Sequence, residues 1–516
     1  MSSKDADTKF DQLENPRGTD AIVEVGSGDL VQDTTKETYG VLPLHQSQKK
    51  TGLARLTLTE FNESYLGKTV RLRCRLSLIK DKGSVIFLTV RQGFDSVQAV
   101  CHAHEGGPSK QMLKWIAKLR PESILLIEGV ATKSDIQSKS ITITNAEIAC
   151  EKVFLIAAPQ GALPFDLTDA GRPETTENDP VQYSKVLLDT RLDNRVLDLR
   201  TRTNHAIFVL QSAIPELFSS YLRSRGFLEI HSPKLQGGAS ESGSSVFTLS
   251  YFKGTAFLAQ SPQLAKQMCI SADFERVFEI GPVFRAENAQ THRHLSEFVG
   301  LDLEMAIEEH YHEAMYLIDD TLKAIFRGLR DGYRKEIDIV YAQFPAEEFK
   351  WREGPEGTLK FTFAEAVDLL VEDGVPREDL DDFDTINEKR LGRVIKAKYD
   401  TDYYIIDKFP LRLRPFYTMP DADDPTIANA YDFFMRGEEI LSGAQRVHDP
   451  VFLLQRIKEN GINPASMQGY LDAFKLACPP HAGGGIGLER VLMFFLKLSD
   501  IRKTSLFPRD RKRLSP

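Results

Sequence analysis

Cysteine is scarce and poorly placed for either of its structural uses. Cys74, Cys101, Cys150, Cys269 and Cys478 form an odd, scattered set among 516 residues, and no two stand in C-x-x-C. That pattern argues against a disulfide framework and fits buried thiols in a reducing compartment. The pairs His102/His104, His292/His294 and His310/His312 lack cysteine partners at zinc spacing, so a transition-metal site is not expected. Long apolar runs are missing too, and no stretch reaches the roughly 20 residues needed to span a bilayer. The opening MSSKDADTKFDQLEN has no apolar core for a secretory signal and is too acidic for a transit peptide, so a cytoplasmic location is expected. Excess positive charge is absent: 65 Lys and Arg against 74 Asp and Glu give a formal net charge of −9. Any nucleic-acid surface therefore has to be a local basic face. Gly67-Lys68-Thr69 is not a phosphate loop, because Asn62 stands where the upstream glycine belongs. Gly483–Arg490, GGGIGLER, lacks the third glycine of the dinucleotide fingerprint, although its glycines do precede a helix with Arg490 in the first turn.

What is present changes character along the chain. Residues 1–50 are polar and acidic without sustained periodicity, the composition of a disordered extension. From about Leu53 strands appear. Val70, Leu72, Cys74, Leu76 and Leu78 alternate with Arg71, Arg73 and Arg75, and Ser84–Val90 and Ser96–His102 follow. A helix over Lys110–Leu119 and two more strands, Glu122–Thr132 and Ser140–Ala149, complete the set. This is the order of an OB-fold barrel over 51–158, a common single-strand binding module. Arginines on one strand beside Phe87 suit phosphates and base stacking; plain strand patterning gives the same alternation. The Pro- and Gly-bearing stretch 159–200 reads as a hinge, and 201–516 alternates helices with strands. A helix over Asn204–Ser224 presents Ile207, Leu210, Ile214, Leu217 and Tyr221 on one face, with Pro215 expected to kink or divide it. Gly226–Leu235 follows as a strand.

Arg276–Met305 has two period-2 arms around a short polar loop, the pattern of a long antiparallel hairpin. Phe278, Ile280, Phe284 and Ala286 share one face of the first arm, and Gly281, Arg285 and Glu287 the other. In the second arm Leu295, Val299, Leu301 and Leu303 oppose His294, Phe298, Gly300 and Asp302. One face is core. The other is either a solvated polar face or a binding platform, and glycine at two strand positions favours close approach of a ligand.

Three stretches stand in the order of the signature motifs of class II aminoacyl-tRNA synthetases: the helix with GFLEIHSPKL, then FRAENAQTHRHLSEF, then GGGIGLERVLMF. The chain resembles that family from about residue 50 to its end. Its OB-like domain is similar to that of the Asp/Asn/Lys subclass. Ser240–Phe247, Gln260–Lys266, Glu438–Arg446 and Arg502–Asp510 resemble the aspartyl branch of eukaryotes. The resemblance implies a multidomain α+β chain: an N-terminal OB-fold β-barrel and a class II catalytic domain built on an antiparallel sheet flanked by helices. It implies ATP-dependent attachment of L-aspartate to tRNA(Asp) through aspartyl-adenylate, by a homodimer with Pro233 at its interface.

By the same resemblance, Arg285 bridges the α-phosphate and the substrate carboxylate. Glu287 takes the adenine amino group, Phe298 one face of the ring, and Arg490 the other face and the γ-phosphate. Arg293 and His294 hold the outer phosphates; Ala286, Leu295, Gly487, Leu488 and Glu489 complete the ATP site. Mg²⁺ is implied on Asp432 and Glu439, and a two-residue turn at Arg436-Gly437 would put both carboxylates on one face. Arg446 and Lys266 receive the aspartate side chain. Ser261 and Pro262 look like N-cap and N1 of a helix that places Gln263 and Lys266 on one face. Ser240, Glu241 and Asp302 hold the α-ammonium, with Ser442 a further contact. Phe87 stacks on an anticodon base and Gln98 hydrogen-bonds another. Two other readings stay open: an asparaginyl enzyme, and a catalytically silent, tRNA-binding paralogue.

Overall fold

A computed structural model describes residues 36–47, 50–138, 140–173, 181–238, 246–286, 288, 291–354 and 357–515. The chain divides into two compact units, 1–162 and 163–516.

In the first unit the strands Thr69–Asp81, Val85–Gln92, Asp95–His102, Ile124–Lys133 and Ala146–Ala157 close into a barrel. Alternation drives the closure: Leu72, Leu76, Leu88, Val97, Ala99 and Ile127 point inward and are fully buried. The fifth strand begins at Ala146, not Ser140, because Thr142 and Ile143 donate their N–H groups to the Ser96 carbonyl and pin that stretch as a loop. Tyr39–Val41 lies parallel to this fifth strand, so part of the expected 1–50 extension belongs to the barrel sheet. Residues 1–35 lie outside the described residues.

The second unit is built on an eight-stranded sheet, antiparallel except at its two edges. Its spatial order is Leu359–Thr362, Tyr403–Asp407, Ala430–Met435, Glu438–Gln445, His481–Gly487, Glu297–Ala306, Arg276–Phe284 and Leu228–Glu229. Helices Arg202–Ser224, His312–Gly332 and Arg334–Gln343 pack together beside it. The first of these runs unbroken through Pro215. Burial of Leu210, Ala213, Ile214 and Phe218 around the proline outweighs the single backbone hydrogen bond it removes. The expected hinge carries short helices within this unit. Arg195, buried there, donates to the carbonyls of Ser505 and Leu506 and pairs with Asp198 at 2.5 Å. The expected strand Gly226–Leu235 forms only two short pairings, Leu228–Glu229 and Leu235–Gln236, with Pro233 between them. No helix among the described residues is long and apolar enough to cross a membrane.

Candidate active site

The hairpin pairs Glu279 with Asp302 and Gly281 with Gly300, and Arg285 N–H extends the ladder to the Ser296 carbonyl at 2.9 Å. Asp302 pairs onward with Gly485, Gly485 with Ser442, and Ser442 with Asp432. Residues directly opposite share a face, so these five strands present one row, Glu279–Asp302–Gly485–Ser442–Asp432. Over this face lies a cavity of about 330 Å³ lined by Gln263, Arg285, Arg293, His294, Phe298, Asp302, Glu439, Ser442, Arg446 and Arg490. Small residues make the room. A Cβ at Gly300 would stand 2.7 Å from Asp302 Oδ2, and one at Gly485 2.8 Å from Oδ1. Gly281 serves a different purpose: a Cβ there would meet the Glu279–Lys234 ion pair rather than the cavity.

At one end the charges are sealed. Lys266, only 1% exposed, lies behind the wall, with Nζ 3.2 Å from Asp302 Oδ1 and 3.4 Å from Glu304 Oε2. Arg446 donates from Nε to Glu304 Oε1 at 2.9 Å and from Nη2 to Oε2 at 3.3 Å. Burial pushes the Glu304 carboxyl up, but Arg446 and Lys266 together overcome this and hold it below its usual range. Lys266 sits on helix Gln263–Ser271, which starts one residue later than expected. Pro262 is its N-cap residue, and Ser261 Oγ accepts from Gln263 N–H at 3.2 Å. Ser240 and Glu241 lie outside the described residues.

At the other end the field is positive. Arg285 lies over the Phe298 ring at 5.7 Å. Arg490, half-buried in the first turn of helix Leu488–Phe495, donates to the Glu439 carbonyl at 3.1 Å and the Arg293 carbonyl at 3.3 Å. Arg293 pairs with Glu388, whose buried carboxyl is pushed up to about 7. Burial, then Arg490, Arg293 and Arg285, pull His294 down to about 4. His294 is therefore a neutral ring, which keeps one N–H to donate. Leu295 and Gly487 line the same cavity; Ala286 and Leu488 do not. Glu489 is a structural group first: its carboxylate accepts the Val299 N–H at 3.1 Å, and burial raises its pKa to about 7. Glu287 lies outside the described residues.

The strands Ala430–Met435 and Glu438–Gln445 join through Arg436-Gly437, both at positive φ (51° and 79°), a tight two-residue hairpin that opposes Glu439 to Phe434. A bulge between Phe433 and Phe434 shifts the register, so Asp432 faces Ser442. Asp432 and Glu439 still share the cavity face. Asp432 is held by both Arg414 terminal nitrogens, at 3.0 and 2.8 Å, and one of them also reaches Ser442 Oγ at 2.7 Å. Burial pushes Asp432 up to about 6, with Glu439 adding to the rise and Arg414 opposing it. Among the described residues no three His, Cys, Asp or Glu side chains form a metal cage. Two neighbouring carboxylates nevertheless fit Mg²⁺, which takes one or two protein oxygens beside phosphate oxygens and water. For Asp432 this requires Arg414 to withdraw.

Residues 188–511 match the model of class II tRNA synthetases (D, K and N), and 70–150 that of the OB-fold nucleic acid binding domain. The cytoplasmic aspartate–tRNA ligase of Homo sapiens is 50% identical over 488 residues, 95% of this chain and 96% of that protein. The chain belongs to the aspartate–tRNA ligases of class II. An aspartyl-tRNA synthetase structure from Entamoeba histolytica superposes with a TM-score of 0.84 at 42% identity, covering 93% of this chain and 96% of the other. The asparaginyl-tRNA synthetase of Pyrococcus horikoshii, complexed with asparaginyl-adenylate, is more distant: TM-score 0.76, 30% identity, 90% of this chain and 100% of that one.

In this ligase the barrel presents Phe87 and Gln98 on its outer face, half-buried, with Phe87 opposite Val100 and Gln98 opposite Thr89. Gln98 Nε2 donates to Glu147 at 2.8 Å. The arginines are not beside Phe87. The turn register sets Lys80 opposite Phe87, a bulge between Leu76 and Leu78 sets Arg75 opposite Arg91, and Arg71 is neutralised by Glu128. Glu304 and Arg414 are site residues that the sequence pattern did not single out. Glu304 was legible by parity, standing two residues from Asp302 on the same face; Arg414 lies in a non-periodic segment with no local signal.

Proposed function

We propose that this ligase condenses L-aspartate with ATP to aspartyl-adenylate, releasing pyrophosphate, and passes the aspartyl group to the terminal ribose of tRNA(Asp). One observation carries the choice of amino acid: the buried Lys266–Glu304–Arg446 cluster at the closed end of the cavity. Two cations there face two carboxylates, Glu304 and Asp302. A substrate bearing an ammonium near Asp302 and a side-chain carboxylate near Arg446 keeps that charge balance; asparagine brings the ammonium without the carboxylate and upsets it.

Attack of one anion on another requires cations held in advance. Arg285 bridges the substrate carboxylate and the α-phosphate, Phe298 and Arg490 sandwich the adenine, and Arg293 with the neutral His294 donates to the outer phosphates. Glu287 receives the adenine amino group. Leu295, Gly487 and Glu489 shape the nucleotide site, with Ala286 and Leu488 flanking it in the chain; Ser240, Glu241, Gln263 and Ser442 complete the amino-acid site. Mg²⁺ held by Glu439 and Asp432 supplies charge neutralisation for the polyphosphate. The barrel, residues 51–158, reads the anticodon, with Phe87 stacking and Gln98 hydrogen-bonding. The ligase works in the cytoplasm as a homodimer around Pro233. The exposed Leu228 and Leu235 (46% and 50%), at and beside the sheet edge, support that contact. Pyrophosphate exchange with aspartate and with asparagine, followed by charging of tRNA(Asp), tests the reading. Exchange driven by asparagine, or by neither, overturns it.

A further inference from the structure

Behind the amino-acid end lies a fully buried polar chain that none of the assigned roles uses. His481 and Gln267 are both 0% exposed, and Tyr470 is 4% exposed. His481 Nδ1 lies 2.8 Å from the Pro479 carbonyl, and its Nε2 2.9 Å from Gln267 Nε2. Gln267 Oε1 accepts from Tyr470 Oη at 3.0 Å and from Gln263 Nε2 at 3.0 Å. Gln263 itself lines the cavity.

Donor and acceptor inventories give this chain one direction. A carbonyl only accepts, so Nδ1 carries the His481 proton. Burial holds the ring neutral, with its pKa near 4, and a neutral Nδ1–H imidazole has a bare Nε2. Gln267 must then turn its NH₂ group to His481 and its carbonyl to Tyr470 and Gln263. Burial also raises the Tyr470 hydroxyl well above its usual pKa, so it remains a donor. Gln263, which lines the cavity, spends its NH₂ group on Gln267 and is left with its carbonyl oxygen to offer. Reversing the imidazole tautomer would set a lone pair against the Pro479 carbonyl and reverse both amides.

We propose that His481 is a positioning residue that, through Gln267, fixes the Gln263 amide with its carbonyl oxygen toward the amino-acid site. That oxygen is an acceptor for the substrate ammonium. A flipped Gln263 would present NH₂ to the ammonium and repel it, so the relay contributes to recognition of an amine. The inference rests on the proposed reading that this end of the cavity takes aspartate.

The test compares aspartate with succinate, which keeps both carboxylates but has no ammonium. Gln267→Met removes the relay at nearly constant volume. It is expected to raise the KM for aspartate about tenfold, the order of one hydrogen bond to a charged group. The inhibition constant of succinate and the KM for ATP should change less than twofold. His481→Gln, which can still accept from Gln267, should recover most of the aspartate affinity. In the wild-type protein, ¹⁵N-histidine NMR should report His481 as the Nδ1–H tautomer at pH 7. Parallel weakening of aspartate and succinate, no weakening of aspartate, or an Nε2–H tautomer overturns the relay. Wild-type protein with no aspartate-dependent exchange instead overturns the underlying reading, while the tautomer still reports the direction of the hydrogen-bond chain independently.

Discussion

At the Lys266 end of the cavity, two cations and two carboxylates lie within one sealed cluster, and every strong charge has an opposite charge within 3.4 Å. At the Arg490 end, three arginines converge on one face beside Glu388 and Glu439, and their field helps to strip the proton from His294. The difference follows from what each end must hold. Discrimination between a carboxylate and an amide needs fixed charges in a dry pocket, where a missing partner is expensive. Capture of a polyphosphate needs an open, over-positive field that the ligand itself neutralises.

The comparison breaks first at Lys266. Lys266→Met leaves Asp302 and Glu304 short of a buried cation, and kcat/KM for aspartate should fall by about 10³-fold, in line with the roughly 3–5 kcal/mol lost when one member of a buried pair is removed. ATP affinity by equilibrium binding should stay near normal; unchanged aspartate kinetics would refute the assigned role. Arg490→Lys tests the open end. A compact ammonium cannot stack on adenine or fork to phosphate, so kcat for pyrophosphate exchange should drop about 10²-fold while succinate inhibition holds. If succinate weakens equally, the two ends are not separate devices. Away from both ends, Phe87→Ala should raise the KM for tRNA about tenfold, one stacking contact by the usual magnitudes, and leave exchange untouched. A change in exchange would contradict the separation of anticodon and adenylate sites.

A different effect is on stability against pH. His481 titrates at about 4 in the folded chain, whereas an unfolded imidazole titrates near 6.5. The unfolded chain therefore binds the additional proton first, and stability is lost as pH falls from about 6.5 to about 4. The slope for one such group is at most about 1.4 kcal/mol per pH unit. His481→Gln should flatten the difference between urea midpoints at pH 7 and pH 5. His294→Gln should flatten it less, because that ring is closer to solvent. Equal slopes in all three proteins would rule out the two histidines as the source of the pH dependence.

Much of the site was legible because strand parity is rigid. Arg285, Phe298, Gly300 and Asp302 share a face by counting alone, and the Arg436-Gly437 turn opposes Glu439 to Phe434 as its residue types require. Counting fails where the period breaks. The bulge at Phe433/Phe434 moved Asp432 opposite Ser442, and the bulge near Ser77 moved Arg75 opposite Arg91. Pro215 defies expectation for another reason: local propensity disfavours it, and the core around it overrides that propensity.

Residue order alone determined the strand faces, the hairpin turn, the barrel's inward rows and the motif chemistry. All follow from backbone periodicity and side-chain type within a few positions. The tertiary structure decided which charges meet. Arg414 reaches Asp432, Glu304 joins Lys266 to Arg446, and His481 directs Gln263 through Gln267. These pairings join segments up to 214 residues apart. Burial gives them their strength, because removing water makes each donor and acceptor choose a partner, and burial exists only once the sheet has closed over them.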